Sequence, residues 1–182
     1  MQAFFVGPSH IARLVLVDVA LGMDTTKAAP SAGWPVRALL SIPSLRNGVV
    51  AATLTNPAFT SRLLRGLVAD TTAITPARLA MFQRPFVVQR TTASFGEWLR
   101  PFITTNEQSL ATDRSRYAEI AVPTLVIWGD RDSVTPIEQG RDLAHLLRAS
   151  SWAELAGIGH IPAIEAPARF NAALLAFLDL NR

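Results

Sequence analysis

The run Val122-Pro123-Thr124-Leu125-Val126-Ile127-Trp128 constrains the fold more than any other stretch of the chain. It is continuously apolar and rich in β-branched residues, with none of the alternation of a half-exposed strand. A strand of this kind is buried on both faces, which is the situation in a parallel sheet with helices above and below it. Pro123 stands near the strand entry, where its missing N–H does least harm. The turn Gly129-Asp130-Arg131-Asp132-Ser133-Val134 follows. Thr135-Pro136-Ile137-Glu138 then reads as a helix start, with a threonine cap, a proline in first position and a glutamate completing a capping box. That helix is expected to reach about Arg148, with Leu143, Leu146 and Leu147 on its inner face.

Two further runs belong with the first. Arg13-Leu14-Val15-Leu16-Val17-Asp18 has the same unalternating character, and the Gly7-Pro8 turn before it makes residues 1–6 the tail of a helix or loop. Ser151-Trp152-Ala153-Glu154-Leu155 is a shorter third strand. The glycine-rich turn Gly157-Ile158-Gly159-His160-Ile161-Pro162 follows, and Glu165-Ala166-Pro167 opens a last helix whose Phe170, Leu174, Phe177 and Leu178 face inward. Strand–helix–strand–helix with short connections predicts an α/β fold with a partial parallel sheet of about three strands. Its first strand lacks an outer neighbour, so self-association through that edge is expected.

Between residues 22 and 121 the pattern changes, and seven prolines divide the stretch into short segments of helical spacing. Asn56-Pro57 and Thr75-Pro76 each pair a cap residue with a proline in first position. Phe59, Leu63, Leu64, Leu67 and Val68 form one apolar stripe, and Trp98, Leu99, Phe102 and Ile103 a second patch. A lobe of four to six short helices is expected, whose Trp34, Met81, Phe82, Phe86, Phe95 and Trp98 line a pocket or pack between helices. The domain division is then residues 1–21 with 122–182 as the sheet, and 22–121 as an inserted helical lobe.

Composition closes several alternatives. Nearly half of the 182 residues are apolar and 17% are charged, which is a globular composition. The net charge of +3 comes from sixteen arginines and one lysine set against the acids, and the basic residues do not cluster on one helix face, so no nucleic-acid partner is expected. No apolar run approaches the ~20 residues of a membrane span. The opening lacks a basic–apolar–small-residue leader, and the cytoplasm is the expected compartment. Cysteine is absent, so disulfides and thiolate metal sites are excluded. No metal or cofactor is expected. A nucleotide-binding domain is disfavoured because no glycine-rich phosphate loop follows a strand.

In open parallel sheets functional groups gather at the carboxyl ends of the strands. Asp18, Asp132 and His160 are all expected there. The glycines around His160 leave its ring uncrowded, and an acid holding one ring nitrogen would free the other to take a proton from a hydroxyl. Asp130 competes with Asp132 for the acid's part. His145, mid-helix, and His10, before the first strand, are weaker candidates.

Taken in order, Val122–Asp132 with Thr135-Pro136, then Gly159-His160 and a closing amphipathic helix, resemble the C-terminal part of an α/β-hydrolase. Residues 13–18 resemble that fold's sixth strand, and residues 22–121 stand where the family inserts its cap, or lid. The resemblance implies Asp132 as the triad acid and His160 as the general base, with Asp18 at a position that supplies the acid in some members. It implies a parent activity on a small apolar acyl substrate (an ester, a lactone or a hydrolytically cleaved C–C bond), with aspartate-nucleophile chemistry as a variant. The family's nucleophile elbow, usually G-x-S-x-G, has no counterpart here, and neither does its oxyanion loop. Gly7-Pro8-Ser9-His10-Ile11 lacks the final glycine, which leaves Ser9 a poor nucleophile. The chain is therefore expected to be a truncated hydrolase, inactive alone. The alternative is a degenerate, non-catalytic protein that binds a ligand or a partner.

Overall fold

The computed structural model describes residue 7 and residues 10–19, 34–104 and 113–180, apart from the side chains of residues 34, 36, 37, 39 and 100–104. Readings made for residues 1–6, Pro8, Ser9, Trp34, Phe102 and Ile103, and the boundary at 21–22, fall outside what is described. In chain order the elements are β1 (Leu14–Val17), α1 (Trp34–Ser41), α2 (Pro43–Ala52), α3 (Pro57–Gly66), α4 (Pro76–Gln83), α5 (Thr91–Thr104), β2 (Thr124–Gly129), α6 (Ile137–Leu146), β3 (Ser150–Leu155), α7 (Pro162–Glu165) and α8 (Pro167–Leu180). Short 3-10 turns lie at Thr71–Ala73, Arg84–Val87 and Arg114–Glu119.

The chain divides into two compact units. The first takes Met1–Thr25, Gly66–Ala73 and Gln108–Arg182; the second takes Thr26–Arg65 and Ile74–Glu107. The first holds a three-stranded parallel sheet in the order β1-β2-β3, the α/β class expected from the sequence. Register runs from Leu14 opposite Thr124 to Val17 opposite Ile127, and from Thr124 opposite Ser150 to Gly129 opposite Leu155. Alternate residues serve opposite faces. Leu16, Val126 and Trp128 join Leu143 and Leu147 with Tyr117 and Ile120 on one side. Leu125, Ile127 and Leu155 join Ile158 and Phe177 of α8 on the other. All six residues of β2 are buried, which is why that run carries no polar alternation.

Among the described residues Trp128 is the largest fully buried side chain. Its indole N–H donates to the Thr135 carbonyl at 2.9 Å, and its ring stacks on Trp152 with centroids 6.5 Å apart. Gly140 of α6 lies against that ring with no room for a Cβ, so the β2–α6 crossover packs at close range. Leu147 is buried just past the end of α6, two residues short of where the sequence pattern carries the helix.

In the second unit the proline punctuation marks real helix starts. Asn56 Oδ1 accepts the Ala58 N–H at 3.0 Å, and Thr75 Oγ1 accepts the Arg78 N–H at 3.3 Å. The apolar stripe drawn through α3 is only half right. Leu64 is buried, Phe59 and Leu63 are exposed, and Leu67 and Val68 lie beyond the helix in the first unit. Phe95 packs edge-on to Phe86 and tilted against Trp98, while Met81 and Trp98 remain largely exposed. Arg46 is buried in this unit, paired with Glu97, and its Nη1 donates to the Leu40 carbonyl at 3.3 Å.

Candidate active site

The matched register brings the loops after all three strands to one edge of the sheet. Asp18 follows β1 and donates its N–H to the Ile127 carbonyl at 3.1 Å; Asp130 follows β2 and donates to Leu155 at 3.3 Å. Beyond β3, Gly157 turns the chain with φ of +76°, a left-handed conformation that glycine adopts without the Cβ penalty. The return carries Gly159 so close to the backbone of Leu67, Val68 and Ala69 that a Cβ would overlap it. His160 follows at once, and its backbone N–H donates to the Leu67 carbonyl at 2.7 Å.

Three acids of this edge are sorted to three different partners. Asp130 Oδ1 accepts the Gly157 N–H at 2.5 Å, which shapes the turn. Asp18 Oδ1 accepts the Gly129 N–H at 2.9 Å. Asp132 alone reaches the histidine, with Oδ2 2.8 Å from His160 Nδ1. The other two histidines stand elsewhere: His145 is exposed in the last turn of α6, and His10 is exposed before β1.

Asp132 is held before it meets the ring. Its Oδ1 accepts the N–H groups of Val134 at 2.7 Å and Thr135 at 2.9 Å, and its Oδ2 accepts the Thr135 hydroxyl at 2.5 Å. Burial works to raise its pKa. The hydrogen bonds from the Thr135 hydroxyl, His160 and the Thr135 and Val134 amides outweigh that, so the carboxyl sits below its ordinary value and is ionised at neutral pH. An ionised carboxylate only accepts, so the proton of this contact belongs on Nδ1, which makes Nε2 the basic nitrogen.

Thr135 corrects the sequence reading. It does not cap α6; the N-cap residue is Pro136, without a side-chain cap bond, and the helix begins at Ile137. The hydroxyl serves the acid instead, 3.4 Å from His160 Nδ1. The Asp132-x-x-Thr135 spacing before a proline was the available signal, since a carboxylate readily accepts backbone N–H groups two and three residues on.

Asp18 is the contrasting case. It is 4% exposed, sits at φ of +41°, and its Oδ2 makes no hydrogen bond. Burial pushes its pKa up, the Gly129 N–H pulls it partly back, and the nearby Asp132 charge raises it again, to about 7. Two carboxyls at one sheet edge thus differ in protonation tendency because one is richly hydrogen-bonded and the other is not. Among the described residues no group of three or more His, Cys, Asp or Glu side chains could hold a metal ion, and no helix is long and apolar enough to cross a membrane.

Comparison with known proteins bears on the fold. No protein-family model matches the chain. A solved serine hydrolase involved in carbazole degradation superposes with a TM-score of 0.67 at 21% identity, covering 98% of this chain and 58% of its own. An α/β-hydrolase fold protein from Burkholderia ambifaria gives 0.68 at 24% identity, covering 96% and 60%. This chain has an α/β-hydrolase fold. By sequence, Protein ABHD14A of Rattus norvegicus is 26% identical over 145 residues, 77% of this chain and 58% of that protein. An uncharacterized protein of Mycobacterium tuberculosis, Rv2715, is 33% identical over 88 residues, 48% of this chain and 26% of that protein. The chain spans less than two thirds of the length of each of these proteins.

Proposed function

We propose that Asp132 and His160 are the acid and general base of a nucleophile–histidine–acid hydrolase. The observation that carries this is the 2.8 Å contact between His160 Nδ1 and an Asp132 carboxylate already anchored by two amides and a hydroxyl. Such an acid orients the ring and stabilises the imidazolium that forms when Nε2 takes a proton from a nucleophile. Hydrolases, an esterase and a lipase among the solved proteins with similar folds support the same class. The substrate class is a small, apolar acyl compound, recognised by the helical segment 22–121 acting as a cap.

No residue of this chain occupies a G-x-S-x-G elbow, and Ser9 falls outside the described residues. On this proposal the nucleophile and oxyanion donors come from a segment that precedes residue 1 in a longer protein, and the 182 residues alone hydrolyse esters no faster than background. The test is p-nitrophenyl acetate and butyrate hydrolysis by the chain and by its in-frame extension carrying a strand–G-x-S-x-G–helix. The extended protein is expected to turn over, and His160→Ala to lose at least about a thousandfold. Equal rates for the extended protein and its His160→Ala variant would overturn the proposal.

The missing elbow also favours a second reading, a degenerate hydrolase that binds a ligand or a partner chain without catalysis. That reading expects no such extension in the gene.

A further inference from the structure

Glu165 stands outside the acid–histidine pair, yet one carboxylate of this residue gathers two backbone donors from separate parts of the first unit. Its Oε2 accepts the Gly159 N–H at 2.8 Å, one residue before the histidine. Its Oε1 accepts the Asp70 N–H at 2.7 Å, 95 residues away in sequence. The short helix α7 makes this reach available. Pro162 starts it, the Glu165 N–H donates to the Ile161 carbonyl at 3.0 Å, and a single turn brings the side chain back over the loop it has just left.

The segment on the far side is tied to the same loop by other bonds. The His160 N–H donates to the Leu67 carbonyl at 2.7 Å, and Ser133, next to Asp132, donates its hydroxyl to the Gly66 carbonyl at 3.1 Å. Gly159 meets the backbone of Leu67, Val68 and Ala69 closely enough to exclude a Cβ. The histidine's backbone is thus gripped from two sides, by the 66–70 segment and by Glu165. Carboxylate-to-amide bonds are charge-assisted, so they are the strong members of this set.

We propose that Glu165 is a positioning residue for His160, fixing the Gly159-His160 backbone against the 66–70 segment so that the ring stays on Asp132. This deepens the hydrolase reading and rests on it for its catalytic meaning. The carboxylate is never in contact with the reacting atoms. It acts by restricting the loop whose freedom would otherwise let Nδ1 swing away from a carboxylate that cannot follow it.

The experiment is NMR on the isotope-labelled chain, comparing wild type with Glu165→Ala and Glu165→Gln. Two readouts are taken: hydrogen exchange of the backbone amides, and the His160 imidazole nitrogen shifts that report a proton held on Nδ1. Glu165→Ala is expected to raise exchange at Gly159 and Asp70 at least tenfold, leave Val126 and Ile127 in β2 unchanged, and move the imidazole shifts toward those of a ring that samples both tautomers. Glu165→Gln keeps one acceptor oxygen, so it should loosen one of the two amides and fall between. Wild-type imidazole shifts in a variant whose Gly159 amide has been freed would overturn the proposal, and so would unchanged exchange at Gly159 and Asp70. Should Glu165→Ala fail to fold, Glu165→Gln carries the same decision. Neither readout uses turnover, so an absence of hydrolysis by the extended protein would count against the triad reading and leave this one standing.

Discussion

The sheet unit and the helical unit treat apolar side chains differently. In the first, Val126, Ile127 and Trp128 are fully buried along one strand. In the second, Val87 is 87% exposed, Trp98 59% and Met81 54%. Charge follows a parallel contrast. In the sheet unit Asp18, Asp130 and Asp132 sit at strand ends and accept backbone amides, whereas the helical unit buries the charged Arg46, whose Nε is unpartnered. The central parallel strand β2 has no free face, so every residue of it is committed to the core. A short helix has one committed stripe, and its other large side chains are free to serve other purposes.

The widest test of this contrast is a pair of tryptophans. Trp128→Ala removes a buried ring and orphans the Thr135 carbonyl, and is expected to cost about 3–5 kcal/mol, a large share of a domain's stability. Trp98→Ala should cost under about 1 kcal/mol. Urea unfolding followed by far-UV circular dichroism reads both, and comparable losses would erase the distinction.

A smaller effect is expected from the buried ion pair. Glu97→Ala leaves the Arg46 charge buried without its carboxylate and should cost about 2 kcal/mol, less than a fully enclosed pair because the Glu97 side chain is 56% exposed. Arg46→Met removes the buried charge while keeping much of the volume, and should cost less than Glu97→Ala. The reverse order in the same unfolding assay would mean that the arginine stabilises more than it costs.

Asp18 supplies a pH test with a definite sign. Its folded pKa of about 7 lies above the ordinary 3.8, so the folded state binds the proton more tightly. The stabilisation from that proton is complete below pH 3.8 and is lost as pH rises through 7. Asp18→Asn retains the neutral form, and its melting temperature should exceed the wild type's by a few degrees at pH 8 and match it near pH 4. Parallel melting curves across that range would dismiss Asp18 as the group responsible. Asp132 has the opposite sign, since its lowered pKa stabilises the fold above the ordinary carboxylate range and is lost on acidification.

Gly157→Ala is a further small change. No atom stands within 4 Å of the added methyl, so the cost is that of φ at +76° alone, about 1 kcal/mol. A neutral result would show that the turn before His160 relaxes freely.

Much of the sheet unit was legible beforehand. Two of the three strands announced themselves as unalternating apolar runs and the third as a shorter segment, and Asp132 and His160 stood just past two strands, 28 residues apart. Both helix caps at Asn56 and Thr75 were readable because a cap is made by neighbours in sequence. Thr135 showed where such local reasoning stops. The same hydroxyl could cap a helix or serve the acid, and the choice rests on where Asp132 lies after the turn has closed. The α3 stripe failed for a related reason, because a 3.6-residue period marks an apolar face without saying how much of it finds a cover.

Periodicity and turn chemistry are short-range properties, and by themselves they determined the order of strands and helices and set Asp18, Asp130, Asp132 and His160 just past strand ends; the preference for Asp132 over Asp130 came from the family resemblance. Partner choice is long-range. That Asp130 goes to Gly157, Asp18 to Gly129 and Asp132 to His160, and that Glu165 reaches an amide 95 residues away, is decided when register aligns the strand ends. Hydrogen bonds form between groups that packing has brought within about 3 Å, and packing belongs to the folded chain.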